Sequence, residues 1–208
     1  GAAPGQVVVT DQTSLNLFKV VAAAAGLRAD RRVILSSAGN FPSDLYVLQG
    51  VSDLIAGHEL RLLPAEAAEA EVEAALGDEV GVLVLTHVDF RTARLWDIAR
   101  LTEAAHRAGA LVVWDLSHTV GAMPVQLDAV QADFAVGCTY KYLNAGPGAP
   151  GFLYVAARHQ AAARQPLTAW LGHARPFAFE TGWEPAPDIR QFLTGTPQVL
   201  GMATLAGA

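Results

Sequence analysis

The 208-residue sequence predicts an α/β fold: a three-layer sandwich around a mainly parallel sheet with one antiparallel strand. Two observations carry this. Short apolar runs rich in branched residues alternate with helical patterns from the N-terminus to about residue 155, and half the chain (52%) is hydrophobic, enough to cover a sheet on both faces. A third fixes the odd strand. "DFAVGC" and "GFLYV" are separated by a loop too short for a helical crossover, so the latter runs antiparallel.

Taken in order, "QVVVT" is a strand followed by the helix "TSLNLFKVVAAAAG", and "RVILSS" a strand followed by the helix "PSDLYVLQGVSDLIAG". The short strand "LRLLP" leads to the helix "EAAEAEVEAAL", which Gly77 stops. "VGVLVLTHV" is a strand, "LWDIARLTEAAHRAG" a helix, and "ALVVWD" a strand that ends on an acid. Beyond Ala156 the periodicity weakens. The proline-rich stretch Pro166–Pro187 reads as a long loop on a surface or against a partner, and "TPQVLGMATLAGA" as a helix. The chain opens without methionine and closes inside a helical pattern, which reads as one part of a longer protein.

Charge and composition narrow the function classes. A formal charge of −6, with no basic cluster beyond Arg28, Arg31 and Arg32, leaves no footprint for nucleic acid or an anionic membrane surface. No apolar run reaches the ~20 residues needed to cross a bilayer. A single cysteine, Cys138, excludes an internal disulfide, and the absence of a secretory pattern makes a cytoplasmic location the expectation.

In open parallel sheets ligands collect at the carboxyl ends of the strands, and those ends are polar here. Asp11, Thr13, Ser14 and Asn16 follow the first strand. Thr13 and Ser14 suit helix capping, and equally suit a phosphate seat, because a helix start offers free N–H groups and a favourable dipole. Neither a P-loop nor a G-x-G-x-x-G pattern is present, which argues against a nucleotide. Asp115, closing an apolar strand, is costly unless it caps the next helix or pairs with a cation such as a protonated ring nitrogen. His87 and Asp89, with Asp115 and His118, also sit at strand ends and could meet around a divalent ion; neither pair has strong metal spacing, and such a site would leave Lys141 without a role, so no metal is expected. Among the 14 basic residues only Lys19 and Lys141 are lysines, and Lys141 lies between two tyrosines at a strand end, where a partly desolvated amine can act as a nucleophile. Phosphate seat, ring-nitrogen acid and amine together match the needs of pyridoxal phosphate.

The segments "DLSH" (115–118) and "TYKYLNAGPGAP" (139–150), with "TSLNLF", "NFPSD", "FRTARLWDI", "WLGH" and "FLTGTP" in the same order, resemble kynureninase, a fold-type I pyridoxal phosphate enzyme of the class V aminotransferase group. The resemblance implies the large cofactor-binding domain of a pyridoxal phosphate-dependent transferase-like fold, spanning 1–208 as a single domain without the N-terminal segment and small C-terminal domain of the family. It implies that Lys141 condenses with the cofactor aldehyde, that Asp115 pairs with the pyridine nitrogen, and that Thr13, Ser14 and Tyr140 hold the phosphate. Phe41 stacks on the ring within Phe41-Pro42-Ser43-Asp44, Asp44 supports it, and Thr86 and His118 complete the pocket. Trp170 and Thr196 match positions that reach the neighbouring subunit's cofactor, implying a homodimer with shared active sites.

The implied reaction is hydrolysis of L-kynurenine, or its 3-hydroxy form, to anthranilate (or 3-hydroxyanthranilate) and L-alanine in tryptophan catabolism, with Lys141 moving the Cα proton and Tyr140 donating protons later. The arginine that grips the substrate carboxylate in the family lies outside these residues, so the resemblance implies that they do not turn over substrate alone. Asp89-Phe90 replaces a more usual asparagine or histidine followed by an aromatic, and Ala169 a common glycine; the first implies a change in substrate preference. A cysteine desulfurase-like lyase would share Asp115 and Lys141 but needs a mobile cysteine, and a non-catalytic binding or dimerisation remnant would keep the sheet alone.

Overall fold

A computed structural model describes residues 1–208. Seven strands form one sheet: β1 (Val7–Val9), β2 (Val33–Ser37), β3 (Glu59–Leu63), β4 (Val80–Thr86), β5 (Leu111–Asp115), β6 (Phe134–Cys138) and β7 (Gly151–Val155). Their order is β1-β7-β6-β5-β4-β2-β3. β2 to β6 run parallel, and β7 is antiparallel to both neighbours, with Ala135 opposite Tyr154 on one side and Val8 opposite Leu153 on the other. The mainly parallel sheet with one antiparallel strand is therefore as expected.

Every residue of β2, β4, β5, β6 and β7 is buried, as sheets covered on both faces require. One face packs on α1 (Thr13–Leu27) and α2 (Pro42–Leu54), through Leu17, Val20, Val21 and the alanines of the 22–25 run. Those small side chains let α1 lie close over the sheet centre. The other face packs on α3 (Glu69–Ala74) and α4 (Ile98–Arg107), with Trp114 fully buried and its indole N–H donating to Thr102 Oγ1 at 3.1 Å.

Two helices are shorter than their sequence patterns. α3 does not begin at Glu66, because Pro64 and Ala67 close a turn and the Glu71 carboxylate takes the Ala68 N–H at 2.7 Å, placing the first helical turn after Ala68. α4 begins after Leu95 and Trp96, which return as extended chain beside β4 through the Val88–Leu95 bridge; Asp97 then caps it by accepting from Arg100 N. The tail holds α5 (Ala157–Gln160), two 3-10 turns at Trp170–Gly172 and Ile189–Phe192, and α6 (Val199–Ala206). Between the two turns the chain is loop, pinned by a bridge between His173 and Pro185 and by the Trp183 indole N–H on Ala169 O. No helix is long and apolar enough to cross a membrane.

Candidate active site

The carboxyl ends of β5 and β6, the N-termini of α1 and α2, and the loop before β7 surround one cavity of about 300 Å³. Asp115 is the last residue of β5 and is 3% exposed; one of its oxygens accepts from Ser117 N at 2.8 Å, a local turn that orients the other. Asp44, in the first turn of α2 and equally buried, approaches the Asp115 carboxyl across the cavity floor. Burial first, then the neighbouring Asp115, pushes the Asp44 carboxyl up to about 9, with the Lys141 charge opposing. Asp44 is therefore neutral at neutral pH.

Lys141 Nζ lies 2.9 Å from His118 Nε2, and 5.6 Å and 5.8 Å from the ring centres of Phe41 and Tyr140. Burial and the Lys141 charge lower the His118 pKa, so the ring is neutral and its Nε2 accepts from the ammonium; the other nitrogen, Nδ1, then carries the hydrogen and has no partner. The surroundings of the amine differ from the expectation of a cage of two tyrosines. Tyr140 and Tyr142 are 47% and 52% exposed, and the partly desolvated setting comes from Phe41 and His118, brought in by other elements. Burial, followed by Cys138 and the two carboxylates, raises the Tyr140 hydroxyl and keeps it a proton donor.

Opposite the amine, Gln12, Thr13 and Ser14 start α1, whose first N–H groups have no intrahelical partner. The approach is possible because residue 151 is glycine: a Cβ there would lie 3.0 Å from both Gly137 O and Thr13 N. Gly146 and Gly148 take the positive φ values, both 82°, that fold the loop after the lysine back toward β7.

The structure brings together Thr13, Ser14, Phe41, Ser43, Asp44, Asp115, His118, Tyr140 and Lys141 around this cavity. Pro42 starts α2 and sets the turn that presents its neighbours without lining the cavity itself. Thr86 pairs with Asp115 in the sheet, but its hydroxyl donates to Val88 O and it borders a separate cavity of about 510 Å³ with Asn40, Arg91 and Arg94. Trp170 lies in the tail against Phe177 and Phe179, and Thr196 is exposed before α6; neither lines the cavity. His87 turns onto Thr119 at 3.1 Å, and Asp89 accepts from Arg91 N and Thr92 N, so the four strand-end residues weighed as metal ligands do not converge. Gln12 and Ser117 line the cavity and were not singled out from sequence; their only signal was adjacency to Thr13 and Asp115.

Thr13 Oγ1, Asp44 Oδ2 and His118 Nδ1 are buried atoms without a hydrogen-bond partner, and all three belong to residues that line the cavity. A model of the class-V aminotransferase family matches residues 1–208. The chain belongs to the class-V aminotransferase family. It is 50% identical over 208 residues to a kynureninase of Deinococcus radiodurans, covering all of this chain and 50% of that one, and 48% identical over 210 residues to a kynureninase of Burkholderia pseudomallei, covering 98% and 49%. The chain spans about half the length of the curated relatives it matches.

Among solved structures, the apo cysteine desulfurase of Thermococcus onnurineus superposes with TM-score 0.80 at 23% identity over 99% of this chain and 51% of that one. A C-DES variant with glycine covalently linked to its PLP cofactor does so with TM-score 0.82 at 19% identity, over 98% and 54%. These likenesses show the class-V fold. Class-V family enzymes depend on pyridoxal phosphate, and the unpartnered donors, the free helix start and the amine fit that cofactor.

Proposed function

We propose that this chain is the cofactor-binding domain of a kynureninase: a pyridoxal phosphate-dependent hydrolase that cleaves L-kynurenine, or 3-hydroxykynurenine, to anthranilate (or 3-hydroxyanthranilate) and L-alanine. The observation that carries the reading is identity near 50% with kynureninases along the whole chain, together with a single cavity that collects an amine, a buried acid and a free helix start. The cofactor, when bound, supplies a covalent anchor for an amino group and an electron sink conjugated with the substrate α-carbon.

In this reading the chain's own residues divide the work. Thr13, Ser14 and the first N–H groups of α1 hold the phosphate, with Tyr140 beside them; Asp115 holds the ring nitrogen protonated, and Phe41 and His118 flank the ring. Asp44 contributes a neutral carboxyl beside Asp115. Lys141 Nζ takes the Cα proton and returns it during turnover, with neutral His118 as the neighbouring acceptor. Tyr140, kept protonated, donates during carbon–carbon cleavage.

The enzyme acts as a homodimer with shared active sites, in the cytoplasm. Support for the dimer comes from the tail, where Trp170, Phe177 and Phe179 form an aromatic cluster exposed at 43%, 72% and 78%. Cys138, 2% exposed on β6, does not supply the mobile cysteine that a desulfurase reading requires. The deciding experiment records the visible spectrum of the full-length protein with pyridoxal phosphate and follows anthranilate release from kynurenine. Wild type develops the band of lysine-bound cofactor and releases anthranilate, and Lys141→Ala does neither. A Lys141→Ala protein that keeps a borohydride-reducible adduct removes the lysine from its role, and a loaded wild type inert toward kynurenine removes the substrate assignment.

A further inference from the structure

Lys19, the second of the two lysines, is fully buried on α1 beneath the cavity wall. Its Nζ donates to Asp11 Oδ2 at 2.7 Å and to Phe192 O at 2.7 Å. The other carboxylate oxygen of Asp11 accepts from Thr194 Oγ1 at 2.7 Å. Burial pulls the Lys19 ammonium down and Asp11 partly offsets it; burial alone would raise the Asp11 carboxyl, but Lys19 and Thr194 hold it below its usual range.

Asp11 sits in the left-handed region at φ 45°, which aspartate adopts more readily than most residues other than glycine and asparagine. The turn is locked on every side: Gly151 N donates to Asp11 O at 2.7 Å, Thr10 N to Gly151 O at 3.0 Å, and Asn16 Nδ2 to Thr10 O at 2.7 Å. The next three residues are Gln12, Thr13 and Ser14, all on the cavity wall. A buried ion pair contributes little net stability once desolvation is counted, so this one is better explained by the geometry it imposes.

We propose that Asp11, clamped between Lys19 and Thr194, is the positioning residue for the phosphate end of the cofactor site, and that it couples that seat to the 189–196 segment. This rests on the reading that the start of α1 takes the cofactor phosphate. Neither Asp11 nor Lys19 touches the cofactor space; the clamp acts by fixing the left-handed turn from which the N–H groups and hydroxyls of α1 are presented.

The test compares dissociation constants of pyridoxal phosphate and of phosphate-free pyridoxal, by equilibrium dialysis with the full-length protein. Asp11→Asn and Thr194→Val each raise the constant for pyridoxal phosphate, by about tenfold for loss of a charge-assisted hydrogen bond, and leave that for pyridoxal within about twofold. Thr194→Ser restores the wild-type value. Should Asp11→Asn fail to fold, Thr194→Val, which keeps the Lys19–Asp11 pair, carries the same comparison. Equal weakening toward both ligands, or none toward either, overturns the positioning role while leaving the phosphate seat intact. A wild type that holds pyridoxal as tightly as pyridoxal phosphate overturns the seat, and the proposal with it.

Discussion

Replacing Asp44 by asparagine removes the titration of the most perturbed carboxyl in the cavity while keeping its shape. In the cofactor-free folded protein this group is pushed up to about 9, whereas an unfolded aspartate titrates near ~4. Between those two values the folded state holds about one proton more than the unfolded chain. A raised folded pKa means that the associated stability is complete below about pH 4 and is lost as pH climbs toward 9, at up to about 1.4 kcal/mol per pH unit. Between about pH 6 and pH 8 wild type therefore loses up to about 3 kcal/mol that Asp44→Asn does not, equivalent to roughly 5–10 °C in Tm for a chain of this size. The asparagine amide keeps a neutral group of the same shape beside Asp115. Thermal melts of both cofactor-free proteins across this range give the answer: the variant gains on wild type as pH rises. A gap in Tm that is the same at pH 6 and pH 8 refutes the raised Asp44 carboxyl.

Two further outcomes follow from other parts of the fold. Asp133, 1% exposed at the start of β6, accepts from His106 and His159 at 2.8 and 2.7 Å, from Arg158 at 2.7 Å and from Val112 N at 2.8 Å. Burial alone would raise its carboxyl, but these donors hold it far below the usual range, so its stabilisation is present above about pH 4 and fades as pH falls further. Asp133→Asn destabilises by about 3 kcal/mol at neutral pH in urea titrations, with the deficit shrinking in acid; an unchanged midpoint contradicts this. Gly151→Ala places a methyl 3.0 Å from Thr13 N and 3.1 Å from Asn16 Nδ2, pushes α1 off β7 and weakens pyridoxal phosphate binding by about tenfold or more, read by the same dialysis; unchanged affinity shows that the close approach is not required.

The strands and long helices were legible because sheets covered on both faces leave uninterrupted apolar runs, as in "VGVLVLT" and "LVVWD". Strand order was not. Nothing local says that β1 pairs with β7 at the edge, since that pairing joins residues about 145 apart and is decided by packing. Helix starts failed where a side chain or a returning loop captured the first turn, at Ala68 and Asp97. In the site, Asp115, Lys141 and the start of α1 were readable as strand-end polar residues. The partners that tune them were harder to find: Asp44 reaches Asp115 from a different layer, and His118 meets Lys141 across 23 residues of sequence.

Lys19 was passed over although "LFKVVAAAAG" shows a charge inside an apolar helical face, and the comparison of the two lysines explains why the chain needs both. Lys19 is wholly enclosed and bonded to a carboxylate and a carbonyl, an arrangement that holds a turn. Lys141 forms no ion pair, and its close partner is a neutral imidazole. A nucleophilic amine must be free to reach the carbonyl it attacks, whereas one bonded to a carboxylate and a backbone carbonyl inside the core is not. The same side chain is thus enclosed and fixed in α1 and set on the cavity wall after β6. What separates the two is the partner each nitrogen meets: for Lys19 a carboxylate that fixes the turn before α1, for Lys141 an imidazole on the wall of the cavity.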